Sequence, residues 1–546
     1  MKALRFNLDL IIFSLVIAAF VAVAAQRLAT VPVPEGDEAF TLQVPYEMLY
    51  RGKLALPMLR YLGGNIENAW HSYIPGYFVI LSAFHKLFGF GLAEGRAFNL
   101  MTAALTLLMV YLLGRRMFDW RAGMISVVLL VGDTVFFERS RLVRDDYAAA
   151  AFGLLAFYLY EMAEERKKAW FYAASGLAAG AGVMCHTNML YMIGAICLLI
   201  LIREGCRAFS SQKLYVFGAS ALALMAYEIV YDLIDYKNFL LQNRGDDVHF
   251  RVLSSGGLLQ NLLEERLRYL KWYTGSMIFP DLPQTTLRIF QLLTIVASIY
   301  LVFVFAREIK RRNVMSDPRA RLLLTAVVVV LFHALIVSQK RVFYLVHIVP
   351  WFALAAGVML RDGLDWISRL RTAQWPHARL AYRVAVVVVT LAALGYSFQL
   401  VAQGRRYLAE VRNPNLASFE EFTMAIRDIV PEGLCPVAVK NPSIWLAFPE
   451  KDSCFASIES RTKEQAYADI GGKDYALITR PNALPERVDN AGARYHLIGE
   501  MSNTPYGNLL IYYTGTDPRY LALKPKRYEF FGQSRGYTGG KPEDQD

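Results

Sequence analysis

Twelve apolar runs constrain what this chain can fold into more than any other feature. They lie near residues 8–25, 73–90, 97–114, 122–137, 147–163, 169–184, 189–202, 214–231, 289–306, 322–337, 342–360 and 384–401. A helix crossing the hydrocarbon core needs ~20 apolar residues, and most of the runs approach that length. Only 19% of the 546 residues are charged and 55% are hydrophobic, against roughly 25% charged in soluble domains. Backbone groups in lipid must bond within their own segment, so the chain is expected to be mainly α, a polytopic membrane helix bundle.

The basic residues orient the bundle. Counting all twelve runs as spans would put "GRRMFDWR" (114–121) outside, against the preference of Lys and Arg for the cytoplasmic side. The run 73–90 contains Pro75, Gly76, His85 and Lys86 and makes a poor span. Laying it along the outer leaflet leaves eleven spans, with the amino terminus inside and the carboxy terminus outside. The basic loops at 164–168, 203–213, 307–321 and 361–383 then all fall inside. The net charge of +11 follows from this inside bias, and no basic face or tail suggests a nucleic-acid partner. The first run resembles a signal peptide, but about 18 apolar residues are long for a signal core, and a retained helix is expected.

Two outer segments are long: 26–96, and 232–288 with the amphipathic stretch "LLQNLLEERLRYLKWY". The membrane domain is expected over 1–401. From 402 to 530 helical stretches alternate with short strand-like runs, "PVAVK", "YALIT", "YHLIGEM" and "NLLIYYTG", which predicts a small α/β domain outside the membrane. The polar, Gly-rich segment 531–546 is predicted to be disordered. Cys435 and Cys454 share this outer region and would pair in an oxidising compartment. The other three cysteines lie in or beside spans, and no zinc spacing is present.

The outer loops collect ionisable residues. The first holds Asp37, Glu38, His71 and Tyr73; the loop before residue 147 holds Arg139, Arg141, Arg144, Asp145 and Asp146. "CHTN" contributes His186, and "SQKRVFYLVH" contributes Lys340, Arg341, Tyr344 and His347. One such loop reads as a solvated turn with snorkelling side chains. Four on one side of the membrane read as a site. Carboxylates beside an apolar span are expensive to desolvate, and Asp37 and Glu38 lie just after the first one.

At these residues the chain resembles the GT-C membrane glycosyltransferases, and within them the protein O-mannosyltransferases and the aminoarabinose transferase of lipid A. "PEGDEAF" is similar to the family's Asp-Glu motif in the first outer loop. "HSYIPGYFVILSAFHKLFGFGLAEGRAFNLMTAALTLLMVYLLGRRMF" is similar to its next block, a turn, a surface helix, an Arg and a span ending in basic residues; "SRLVRDDYAAAAF" is similar to the block whose Asp follows an Arg-rich turn, and "KRVFYLVHIVP" to its late basic-aromatic turn. The likeness covers 1–200 and 320–360 and leaves the tail outside. It departs from the family where a Lys often follows the fifth span and this chain has His186.

The resemblance implies an inverting transfer of a sugar from a polyprenyl-phosphate donor to a protein, glycolipid or polysaccharide acceptor, on the outer face of the cell (inner) membrane. Asp37 would be general base, with Glu38 supporting it and Asp146 orienting the acceptor or an arginine. Lys340 and Arg341, helped by Arg141 or Arg144, would stabilise the departing phosphate. His71, Tyr73, Asp145, His186, Tyr344 and His347 would complete substrate binding. No cofactor is expected; Mg²⁺ or Mn²⁺ held by the carboxylates is the alternative. A transporter or lipid flippase is the rival reading. It would place ionisable residues at mid-span and show duplicated halves, whereas here Glu228 is the main mid-span charge and no duplication is visible. A non-catalytic scaffold would need neither Asp37 nor Asp146.

Overall fold

The computed structural model describes residues 2–530, except 72–73, 245–255, 275–288, 312–313, 374–376, 413–418, 440, 452–453, 459–473, 482–494 and 505. Tyr73 and the 531–546 tail therefore lie outside the described residues. The helices are α1 (Lys2–Ala24), α2 (Gly36–Arg51), α3 (Gly76–Phe88), α4 (Leu92–Met117), α5 (Trp120–Val131), α6 (Thr134–Arg139), α7 (Asp146–Arg166), α8 (Ala169–Cys185) and α9 (Leu190–Glu204). They continue as α10 (Gln212–Ile234), α11 (Tyr236–Arg244), α12 (Gly257–Thr274), α13 (Ile289–Lys310), α14 (Pro318–Leu335), α15 (Val349–Leu370), α16 (Ala378–Val411) and α17 (Phe419–Ile429).

Among the described residues, six helical stretches are long and apolar enough to cross a membrane, and four shorter helices are apolar as well. The chain is a multi-pass membrane protein. Two expected runs end differently from their hydropathy. The run 122–137 breaks at Gly132, where Asp133 caps α6 through the Phe136 amide. The run 342–360 opens with a 3₁₀ turn, Val342–His347, and its helix starts only at Val349. α16 extends to Val411, ten residues past the expected end of the membrane domain.

Two buried arginines tie down the chain between α1 and α2. Arg141 donates to the carbonyls of Ala24, Gln26 and Val31. Arg96, on α4, donates to the carbonyls of Leu28 and Pro32 and forms a two-pronged pair with Glu38 at 2.8 and 2.6 Å. Carbonyls that no helix satisfies are thus bonded in place of water.

The carboxy-terminal region forms one sheet. Its strands are β1 (Cys435–Val439), β2 (Ala456–Ile458), β3 (Tyr475–Thr479), β4 (Tyr495–Thr504), β5 (Gly507–Thr514) and β6 (Lys526–Glu529), in the order β2-β1-β3-β5-β4-β6. Four of the six coincide with runs visible in the sequence; β2 and β6 are too short and too mixed to stand out. Cys435 and Cys454 form a disulfide. The domain sits against the start of α2: Ser443 donates to the Pro34 carbonyl at 3.1 Å, Arg60 to the Phe455 carbonyl at 2.9 Å, and Trp445 packs edge-on against Tyr46. A Cβ on Gly36 would come within 2.7 Å of Pro442. The sheet region therefore abuts the residue immediately before Asp37.

Candidate active site

Asp37 is the second residue of α2, where helix amides without intrahelical partners favour a negative charge. Its side chain is 53% exposed, and Arg144 Nη1 contacts it at 2.7 Å. Arg144 is itself buried, and its Nε donates to Asp146 Oδ2 at 2.8 Å. The other Asp146 oxygen, Oδ1, faces His347 Nε2 at 3.0 Å and His186 Nε2 at 3.8 Å. Phe343 lies under the Arg144 guanidinium at 3.7 Å, and Tyr344 stands edge-on to His186. One chain of contacts thus runs from an exposed carboxylate into a buried carboxylate–histidine cluster, using residues from α2, the α6–α7 turn, the α8–α9 turn and the 3₁₀ turn.

The remaining candidates lie elsewhere. Glu38 is fully buried; besides Arg96 it accepts the amides of Val143 and Glu35. Its oxygens are committed to holding the loop. Arg141 serves the carbonyls after α1. His71 bonds Asp232 at 2.9 Å through Nδ1 and Asp235 at 3.2 Å through Nε2, so it joins the first loop to the end of α10. Lys340 is buried: its ammonium donates to the carbonyls of His333, Ala334 and Val337 and meets Glu265 at 2.9 Å. Burial lowers its pKa and Glu265 opposes that shift. Arg341 is exposed.

Asp145 differs from its neighbours. It is 9% exposed. Among the described residues no ion pair reaches its carboxylate, while Arg144 and Asp146 on either side are both engaged. Burial pushes its carboxyl up to about 6; His186 opposes the shift and Asp146 adds to it. Burial also lowers the His347 pKa against the pull of Asp146, which favours a neutral ring donating through Nε2–H.

Asp146, His186 and His347 have the residue types of a metal site, with ligand atoms within 4.8 Å of one another. His186 does not fit. Its Nδ1 accepts the Asn188 amide at 3.1 Å, so in the neutral ring Nε2 carries the proton and has no lone pair to offer. A ligating histidine shows the opposite arrangement, with the far nitrogen donating.

Sequence reasoning included Arg96 and Phe343 in the family-like blocks but gave neither a role. A lone arginine entering the run after 92 was the signal for the first, since a charge there needs a partner. For Phe343 the signal was only its place in the basic-aromatic turn, since an aromatic at a membrane edge is ordinary.

A sequence model of the dolichyl-phosphate-mannose-protein mannosyltransferase family matches residues 71–231. The structure of ArnT from Cupriavidus metallidurans bound to undecaprenyl phosphate superposes with a TM-score of 0.58 at 12% identity, over 94% of this chain and 98% of that one. The chain has the GT-C glycosyltransferase fold. Archaeal oligosaccharyltransferase AglB from Archaeoglobus fulgidus, in complex with an inhibitory peptide and a dolichol-phosphate, is also similar, with a TM-score of 0.53 at 12% identity over 94% and 75% of the two chains. No curated protein matches the sequence. A match over 94% of this chain reaches into the carboxy-terminal sheet, so the structural likeness extends beyond the segments that carry the sequence motifs.

Proposed function

We propose that the protein transfers a sugar from a polyprenyl-phosphate donor to a hydroxyl-bearing acceptor, with inversion, and that Asp37 is the general base. The observation that carries this reading is the Asp37–Arg144–Asp146 chain: an exposed carboxylate linked through one guanidinium to a buried, fully bonded one. Asp37 takes the proton of the acceptor hydroxyl. The hydroxyl oxygen attacks the anomeric carbon, the carbon–oxygen bond to the lipid phosphate breaks, and the phosphate leaves with the electron pair. Arg144 holds Asp37 in place and faces the developing phosphate charge. Arg144 replaces Lys340 and Arg341 in that role: Lys340 is enclosed by carbonyls and Glu265, and Arg341 is exposed.

The site lies at the outer face of the cell membrane in this reading. The Cys435–Cys454 disulfide supports an oxidising side for the sheet domain, which touches the chain beside Asp37. The acceptor class, whether protein, glycolipid or polysaccharide, is set by the surface between that domain and α2. The test is incubation of purified protein with polyprenyl-phosphate sugars and candidate acceptors. Release of free polyprenyl phosphate that depends on the acceptor supports the proposal; no release with any donor overturns it.

The chemistry is proposed to need no metal, because the His186 Nδ1 bond to Asn188 leaves the cluster without its third ligand. Turnover is expected to change less than two-fold on treatment with EDTA. A loss of ten-fold or more, restored by Mn²⁺ or Mg²⁺, would reverse this assignment.

A further inference from the structure

Between the starts of α3 and α7 and the end of α8, three polar side chains have unspent bonding capacity. Tyr77 is fully buried and its hydroxyl has no partner among the described residues. Asp145 is nearly buried and makes no ion pair. His186 presents Nε2–H, held in that tautomer by Asn188, with its nearest carboxylate oxygen 3.8 Å away, too far for a hydrogen bond. The three belong to one neighbourhood. Asp145 adjoins Asp146, whose Oδ1 lies 3.8 Å from His186 Nε2, and Tyr77 follows Gly76, which packs on Met184 two residues before His186.

Backbone packing creates this juxtaposition. A Cβ on Gly76 would lie 2.4 Å from the Met184 carbonyl oxygen, so only glycine lets α3 begin directly against the end of α8. Tyr77 is thereby brought beside the Cys185–His186 turn.

Buried polar groups are nearly always bonded, and leaving one unpaired costs about 1–3 kcal/mol. A hydroxyl, an imidazole N–H and a carboxylate without an ion pair together ask for a ligand that both donates and accepts. An anion does not suit the place, because Asp145 and Asp146 are adjacent there. The vicinal hydroxyls of a sugar ring do: two can donate to one carboxylate while accepting from Tyr77 and His186. We propose that Tyr77, Asp145 and His186 form the subsite for the donor's sugar ring, a reading that rests on the glycosyltransferase function above. The subsite adjoins the Arg144–Asp146 pair, so a sugar seated there has its phosphate linkage towards the arginine.

The full chain in nanodiscs, as wild type, Tyr77→Phe and Asp145→Asn, tests this by titration with bare undecaprenyl phosphate and with undecaprenyl phosphate carrying mannose or arabinose. Wild type should bind at least one sugar-bearing lipid more tightly than the bare one. Both variants should weaken that binding by about ten-fold and leave the bare lipid within two-fold. Tyr77→Phe removes a single oxygen, so it separates lost recognition from lost folding. Equal weakening of bare and sugar-bearing lipids would assign the groups to the phosphate and overturn the subsite. Unchanged binding of the sugar-bearing lipid by both variants would assign them to buried water and overturn it too, with the glycosyltransferase reading intact. Wild type that binds neither lipid would overturn that reading, and the subsite with it.

Discussion

Asp37→Asn is expected to lower kcat by ~10²–10⁴, the usual contribution of a positioned general base. The substitution is chosen to be quiet structurally. An asparagine side-chain oxygen at 37 can still accept from Arg144, and the site is exposed, so α2 and the Arg144–Asp146 contact should persist. Binding of the bare lipid phosphate should be unaffected, because Asp37 acts on the acceptor and not on the donor's leaving group. Single-turnover release of polyprenyl phosphate is the readout, with wild type and variant compared at saturating acceptor. A variant within three-fold of wild type would keep the enzyme and remove Asp37 from its chemistry. Asp146 would then be the next carboxylate to test, although both of its oxygens are engaged, by Arg144 and by His347.

The second large effect concerns stability. Glu38 and Arg96 are both fully buried and bonded twice to each other. Removing one partner of a buried ion pair leaves an uncompensated charge and typically costs 3–5 kcal/mol. Glu38→Ala also strands the Val143 and Glu35 amides, so it should be the worse of the single changes. Its expected result is a large drop in the detergent-solubilised melting temperature, with turnover lost along with the fold of the first loop. Replacing both partners by apolar residues of similar volume, as in Glu38→Leu with Arg96→Met, should recover much of the lost stability, since neither charge then remains. Thermal unfolding of the two single variants and the double variant measures this. Single variants that melt with the wild type would show that the pair is not what holds the loop, and Glu38 would return to the list of reacting groups.

The contrast between Asp37 and Glu38 shows where sequence stops being informative. Side by side after the first span, the two read as one catalytic pair, base and support, and the helical turn of α2 separates them: one faces solvent and Arg144, the other faces Arg96 and the core. The same holds for Arg141 and Arg144. Three residues apart in one basic turn, they part company because Arg141 points back to the carbonyls after α1 and Arg144 forward to the two aspartates. Lys340 reads from sequence as a free cation at a membrane edge, yet Glu265, on α12 some 75 residues earlier, encloses it.

By itself the sequence determined the class of the protein: a bundle of apolar helices with a polar outer rim, and a sheet domain after them. Those features are properties of segments, set by hydrophobic run length, by the alternation of strands and by the placement of Lys and Arg, and each is readable without knowing what the segment packs against. It also placed Asp37, Asp146, His186 and His347 among the candidates, because ionisable residues are rare at the edges of apolar runs. What each candidate touches was decided only by the tertiary structure. Hydrogen bonds form over ~3 Å and depend on which way a side chain points, and residues separated by a hundred or more positions meet only once the helices are packed. The Tyr77 hydroxyl is the clearest case: on its own segment it is one more aromatic of a surface helix, and its neighbourhood with Asp145 and His186 comes entirely from how closely Gly76 lets α3 approach α8.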